Sequence, residues 1–409
     1  MKRTFLTFLI ACELLWLALV LFVPAARQGK VWFREGRELL SDYFMPRATA
    51  AHANPYAEPA RISLPSPGWD LEERDRAYPA GALLPLVPFE ETWKGAWACN
   101  IVMIAVFVAV LFASKTMRKS PLALMAVVLS APMLFAYERG NPLWYAAAGT
   151  LIFMEFYDSP RKGLRLLAAA ALAAAASVKV MPAALGILYF SRSNRHAGWR
   201  DGVWCVALGV LVFLLPWFFV AGFGSFPDWW RTGHANVAFY GPRTQFGPVQ
   251  LVRSALILAG VAWQDMRWFY SLARSLATLA SVSCLFAAWR VTSRYAALLF
   301  ACVGMMLLGA NMQPYTLLYL LPVFFLWLDG RVFEGTSGRV VWGEAACWFV
   351  LLVPLQIPFG DVTMNAVRNL VFMALPLAAL FGSARRREMH RFRLLQLYHD
   401  AVGELKKGM

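Results

Sequence analysis

The residues with most chemistry to offer lie at the edges of hydrophobic runs. Asp42, in Ser41-Asp42-Tyr43-Phe44, follows the first such run. A carboxylate just outside a bilayer can take the proton of a hydroxyl acceptor. As one of ten acidic residues between positions 27 and 94, it can equally cap a helix or stand solvated. Lys179 is enclosed by Ala173–Val178 and Val180-Met181. A lysine so placed either binds an anion or snorkels to an interface. Arg139, in Tyr137-Glu138-Arg139-Gly140-Asn141-Pro142, can hold a phosphate with its planar fork or pair with Glu138. Trp229-Trp230-Arg231 and His234 form an aromatic and basic cluster, which could also be an interfacial belt. Asn54-Pro55-Tyr56, Tyr78-Pro79 with its continuation to Leu86, and Asn311-Met312-Gln313-Pro314-Tyr315 complete the polar set, each consistent with plain turn chemistry. No DxD motif lies in the long loops and no His/Cys cluster has ligand spacing, so neither metal nor cofactor is expected.

These residues need a scaffold, and the hydrophobic runs supply it. Hydrophobic residues make up 59% of the 409, charged residues 15%, and mean hydropathy is +0.52. A soluble protein carries about a quarter charged residues. Apolar segments recur over Thr4–Val23, Ala96–Ser114, Pro121–Tyr137, Pro142–Tyr157, Gly202–Val220, Trp268–Trp289, Tyr295–Ala310, Pro314–Leu328, Val341–Leu355 and Asn365–Phe381. Leu166–Val178 and Val180–Phe190 are each short for a full crossing, and Lys179 and Pro182 fall at their junction, which reads as a broken or shallow hairpin. Pro248–Trp263 reads as interfacial or re-entrant. The expected fold is all-α and polytopic, with about 10–12 transmembrane helices.

The net charge of +15 follows membrane topology rather than nucleic-acid binding. Basic residues fall in short loops: Lys115/Arg118/Lys119, Arg161/Lys162/Arg165, Arg192/Arg195/Arg200, Arg290/Arg294, Arg331/Arg339 and Arg385–Arg387. With Met1 in the cytoplasm, all of them are cytoplasmic, as are both termini. The first run, after Met1-Lys2-Arg3, is read as a retained anchor because it is long for a signal peptide and contains Glu13. Two long loops, 27–94 and 222–250, then lie outside, and loops of that length are usually functional. Trp32, Phe33, Leu39, Leu40, Tyr43 and Phe44 predict an amphipathic helix on the membrane surface. Residues 1–383 form one membrane domain, and 384–409 form a basic tail on the inner leaflet. The six cysteines lie in or beside apolar segments and read as buried hydrophobes. Asp42, Tyr78, Arg139, Lys179, Arg231, His234 and Gln313 all map to the outside face.

The order of these motifs resembles glycosyltransferase family 87, the polyprenol-phosphate-mannose-dependent transferases also known as DUF2029. The likeness rests on Asp42-Tyr43-Phe44, Asn54-Pro55-Tyr56, Tyr78-Pro79, Arg139-Gly140-Asn141 and Lys179-Val180-Met181-Pro182, over roughly residues 30–330. Where the family has Tyr-Pro-Pro, this chain has Tyr78-Pro79-Ala80. The resemblance implies a GT-C-like fold in the plasma (inner) membrane and an inverting transfer of a mannose-like sugar to a hydroxyl. It implies a polyprenyl-phosphate sugar donor and a glycan or glycolipid acceptor, with no nucleic acid, and a monomer in the lipid bilayer. Asp42 is then the general base. Lys179, Arg139, Arg231 and His234 face the donor phosphate, and Tyr43, Tyr56, Tyr78, Asn141 and Gln313 contact substrate. A transporter or flippase of lipid-linked saccharides is the competing class, and a non-catalytic assembly scaffold is a third.

Overall fold

The computed structural model describes residues 2–23, 40, 43–44, 47, 56, 62–63, 70–71, 78–114, 120–196, 198–220, 222–236, 251–252, 255–256, 258–261, 267–308, 314–329, 338–354, 358–359, 362–363 and 367–378. It is mostly helical. Antiparallel two-residue pairs, β1 (Ile62–Ser63) with β2 (Asp70–Leu71) and β3 (Pro358–Phe359) with β4 (Val362–Thr363), are its extended elements among the described residues. The helices are α1 (Lys2–Phe22), α2 (Ala80–Leu83), α3 (Trp93–Ala113), α4 (Pro121–Val128), α5 (Ala131–Arg139), α6 (Leu143–Phe156), α7 (Lys162–Val178), α8 (Trp199–Val220), α9 (Phe226–Asn236), α10 (Arg267–Arg290), α11 (Arg294–Leu308), α12 (Leu321–Leu328), α13 (Gly338–Leu352) and α14 (Val367–Ala378). A 3-10 helix, Leu84–Leu86, follows α2, a second, Met181–Phe190, follows α7, and a third, Pro314–Leu320, leads into α12.

Local chemistry sets these boundaries. Thr92 caps α3 by accepting from Gly95 N at 3.2 Å, and Ser120 caps α4 by accepting from Ala123 N at 3.3 Å, with Pro121 preset for the first turn. The single span expected over Pro121–Tyr137 is instead bent by 48° between α4 and α5. Pro132 has no N–H to continue the ladder and its ring crowds the carbonyl four residues back, while the Ser130 hydroxyl bonds Val127 O at 2.6 Å. The same steric rule ends α7: Pro182 would strike the Val178 carbonyl, so the helix stops at Val178 and Lys179 turns extended.

Among the described residues, three helices are long and apolar enough to cross a membrane, Trp93–Ala113, Trp199–Val220 and Ser271–Arg290, or four with the bent α4–α5 pair. Other apolar helices are shorter. The 14 residues of α6 rise about 21 Å, against a hydrocarbon core of about 30 Å. The region Leu166–Arg192 does form a hairpin. Its first arm is longer than expected, 17 residues from Lys162, and its second is a 3-10 helix of 10 residues.

The bundle has two chemically different ends. At one, Arg165 pairs with Asp201 at 3.1 Å, Asp158 accepts from Arg195 N at 2.8 Å, Ser114 bonds Glu155 at 2.9 Å, and Arg192 N bonds Trp289 O at 3.0 Å. Arg294 reaches Met154 O at 2.7 Å, so a cation meets the carbonyls at the C-terminus of α6. The helices leaving this end arrive at the other, where Leu40, Tyr43, Phe44, Arg47, Tyr56 and residues 78–90 join them. Leu40, Tyr43 and Phe44 are 0%, 0% and 3% exposed and belong to the main core. The surface helix expected for this stretch is therefore corrected at these three positions, since their side chains fill the bundle rather than float on lipid.

Small residues let the helices approach closely. Gly149 of α6 faces the Ala171 carbonyl of α7, and Gly304 of α11 leaves room for Ser281 of α10, whose hydroxyl bonds Gly304 O at 2.6 Å. Buried charges also appear that the hydropathy reading passed over. Arg368 is 0% exposed and donates to Val353 O at 2.6 Å, closing the end of α13, and Glu344 accepts from the Trp327 indole at 2.9 Å.

Candidate functional site

The end opposite the basic loops gathers much of the polar set. Tyr56 donates its hydroxyl to Tyr78 O at 2.7 Å, and its ring lies 5.5 Å from that of Trp217 on α8. This fixes the backbone from which the Tyr78 side chain extends. Asn141 Nδ2 donates to the Tyr78 hydroxyl at 3.1 Å, while Asn141 Oδ1 accepts from Leu143 N at 2.8 Å and holds the first turn of α6. The Lys179 ammonium lies 4.2 Å from the centre of the Tyr78 ring. Such a cation–π contact contributes about 0.5–2 kcal/mol according to its exposure. Tyr78, Asn141 and Lys179, far apart in sequence, thus meet in one cluster, with Tyr56 behind them.

Arg139 ends α5 beside this cluster. Gly140 follows with φ +61°, the left-handed turn that glycine adopts without strain. A Cβ there would crowd Leu40, which itself has φ +54° and donates its N–H to Glu138 O at 2.8 Å. Leu40 is therefore tied to the last turn of α5. The Tyr43 hydroxyl donates to Glu90 O at 2.5 Å, and Arg47 Nε bonds Phe89 O at 2.6 Å. Burial pushes the Tyr43 phenol up to about 12, so it stays a protonated donor at neutral pH. Tyr43 and Tyr56 are walls and clamps in this arrangement, since both hydroxyls are taken by backbone carbonyls.

Other expected site residues fall elsewhere. Arg231, on α9, is exposed and pairs with Asp228 one turn away at 2.7 Å. Its neighbour Trp229 is the inward-facing residue, 7% exposed and packed 5.3 Å from Trp217. His234 is on the backbone of α9, and its side chain lies outside the described residues, as do Asp42, Gln313, half of Pro248–Trp263 and the tail 384–409. Among the described residues, no group of three or more His, Cys, Asp or Glu side chains comes together as a metal site would require.

Two features of this end were not read from the sequence. Asn100 on α3 is fully buried and donates to Tyr137 O at 2.9 Å. An amide in so apolar a run was the available signal. Gly81 on α2 sits against Ser177 of α7, where any Cβ would run into the Ser177 carbonyl and hydroxyl. Gly81→Ala is expected to push α2 off α7 and to destabilise by about 1–3 kcal/mol, read as a lowered Tm in detergent. An unchanged Tm would show that the contact yields freely.

An apolar groove of about 400 Å³ lies between α7, the Met181–Phe190 helix and α8, the first two of which flank Lys179 in the chain. Ala173, Ala176, Ala183, Gly186 and Gly209 keep it open. Phe213 lines it and also packs against the group that holds Tyr56, Trp217 and Tyr78.

Comparison with known proteins found no matching family model, no matching curated protein and no matching solved structure.

Proposed function

We propose that this protein is a polytopic membrane glycosyltransferase of the GT-C type, akin to family 87, acting on the extracytoplasmic side. The observation that carries the reading is the meeting of Lys179, Tyr78 and Asn141 beside Arg139, opposite the basic loops, with an apolar groove between α8 and the two elements that flank Lys179. A cation above an apolar channel suits a polyprenyl phosphate, whose head is anionic and whose chain is greasy. In the proposed reaction the acceptor hydroxyl oxygen attacks the anomeric carbon and the bond from that carbon to the phosphate oxygen breaks. Asp42 takes the hydroxyl proton, polyprenyl phosphate leaves with the electron pair, and the anomeric centre inverts. Lys179 and Arg139 stabilise the charge growing on the leaving phosphate. Mass spectrometry of lipid-linked sugars in a deletion strain tests this: donor should accumulate and one glycan should lack a hexose. Unaltered lipid and glycan profiles would count against it.

The topology is tested separately. His196 is exposed at the basic end, its side chain 43% accessible, whereas Ser193 in the same loop is 5% accessible and a poor labelling site. In a cysteine-free background, Glu90→Cys should react with an impermeant maleimide on whole cells and His196→Cys should not. The reverse pattern would invert the map.

Glu13 favours the competing reading, a transporter or flippase. It is 1% exposed within α1, and among the described residues neither carboxylate oxygen has a hydrogen-bond partner. Buried carboxylates of this kind mark ion pathways in transporters. Uptake of a labelled lipid-linked saccharide into vesicles without any change in its glycan would select that class.

A further inference from the structure

Of the three helices long and apolar enough to cross a membrane, α8 is the least covered by protein. Of its most apolar stretch 11% is buried, against 33% for α3 and 22% for α10. Val203, Trp204, Val206, Val210, Leu211 and Leu215 of α8 are all exposed. At about 100° per residue, they spread over about half of the helix circumference. A partner helix packed alongside would cover a narrow seam of that face and leave the rest bare. A surrounding fluid covers all of it. The two ends of the helix mark the depth of that fluid. At the basic end Trp199 is exposed, with the Arg200 guanidinium 5.8 Å from its ring centre. At the opposite end Phe218, Phe219 and Phe223 are 68%, 66% and 52% exposed. Their rings gather, 5.6 Å apart for Phe218 and Phe219 and 6.2 Å for Phe218 and Phe223. Gly222, with φ +68°, turns the chain between them, and the exposed Arg231, paired with Asp228, begins a polar surface on α9. The 22 residues of α8 rise about 33 Å, enough for a hydrocarbon core of about 30 Å.

We propose that α8 is a lipid-facing wall of this protein, with Phe218, Phe219 and Phe223 at one boundary of the hydrocarbon and Trp199 at the other. The three phenylalanines are the last large apolar side chains before the ion pair, and an indole with a cation beside it suits the headgroup level. The wall has a consequence for the groove beside it. Val206 and Val210 both line that groove and stand exposed on α8, so the groove opens sideways. Its contents then come from the bilayer, as a lipid hydrocarbon chain. The inference rests on the membrane reading and not on transferase activity.

The experiment is spin-label accessibility in the full-length, cysteine-free protein reconstituted into phosphatidylcholine vesicles. Labels are placed singly at Val206→Cys, Leu211→Cys, Phe218→Cys and Arg231→Cys, with Leu279→Cys on the exposed face of α10 as reference. Val210→Cys and Leu215→Cys repeat the measurement where one of the α8 variants is not recovered. Labels at Val206, Leu211 and Phe218 should collide with oxygen, which partitions into hydrocarbon, and escape a water-soluble nickel chelate. The preference should reverse at Arg231. Shielding of the α8 labels from both reagents, with the Leu279 label still open to oxygen, would overturn the proposal and leave the membrane reading intact. Dipolar broadening between labels at Leu211 would also overturn it, since a second copy of the chain would then cover the face. Nickel access at Leu279 and along α8 alike would remove the membrane reading together with the proposal.

Discussion

Asp42→Asn is expected to slow sugar transfer about 10²–10⁴-fold while leaving the protein folded and able to bind donor. Asparagine is nearly isosteric with aspartate, so packing should survive. It cannot accept a proton at neutral pH, so a general-base step is lost. The residues on either side give the prediction its footing. Leu40 is tied to Glu138 O at 2.8 Å and packed against Gly140, and Tyr43 is tied to Glu90 O at 2.5 Å. Leu40 holds a positive φ, a conformation that costs a non-glycine residue about 1–3 kcal/mol and persists only where its surroundings enforce it. Leu40 is thus held against the end of α5, whose next residues lead to Asn141. Asp70→Asn is the control. Asp70 belongs to the β1–β2 pair, so its substitution removes one negative charge from the same loop without touching the proposed base. The measurement is initial rate with a polyprenyl-phosphate sugar donor, alongside donor binding. A wild-type rate for Asp42→Asn would end both the base assignment and the family-based mechanism.

Lys179→Ala should cost about 2–4 kcal/mol at the transition state, a fall in kcat/KM of about 30- to 10³-fold, as for other groups that stabilise a developing anion. The lysine sits at the tip of the α7 hairpin rather than within an apolar span, with its ammonium 4.2 Å from the Tyr78 ring. Alanine removes the charge and leaves the Tyr78–Asn141 hydrogen bond in place. The loss should appear mainly in kcat if the cation acts on the leaving phosphate, and mainly in KM if it only holds the donor. Normal expression with unchanged kcat/KM would return Lys179 to the snorkelling explanation.

Hydropathy located the helices well because burial in lipid or in core demands apolar side chains wherever the backbone runs. The runs read over Ala96–Ser114, Gly202–Val220 and Trp268–Trp289 match α3, α8 and α10 to within a few residues. It failed where a single residue sets the backbone. Pro132 and Ser130 divide one apolar run into α4 and α5, and hydropathy is blind to a missing N–H. It also misjudged Leu40, Tyr43 and Phe44. Alternation of polar and apolar residues says that one face is buried, but not whether it is buried by lipid or by protein.

Residue chemistry alone determined which groups were candidates: an acid after the first run, a lysine among alanines, an arginine before a glycine. It also determined that basic residues fall in alternate loops, which divides the helix ends into two sets. Only the tertiary structure decided which candidates meet. Tyr78, Asn141 and Lys179 come from a loop, a helix start and a hairpin tip, and hydrogen bonding from Tyr56 and close packing at Gly81 bring them together. Arg231 shares their end of the bundle, yet turns outward to Asp228, because the neighbouring Trp229 takes the inward position against Trp217. Adjacent helical residues point about 100° apart, so burying the indole carries the guanidinium to the surface, and sequence order cannot say which of the two will be inside.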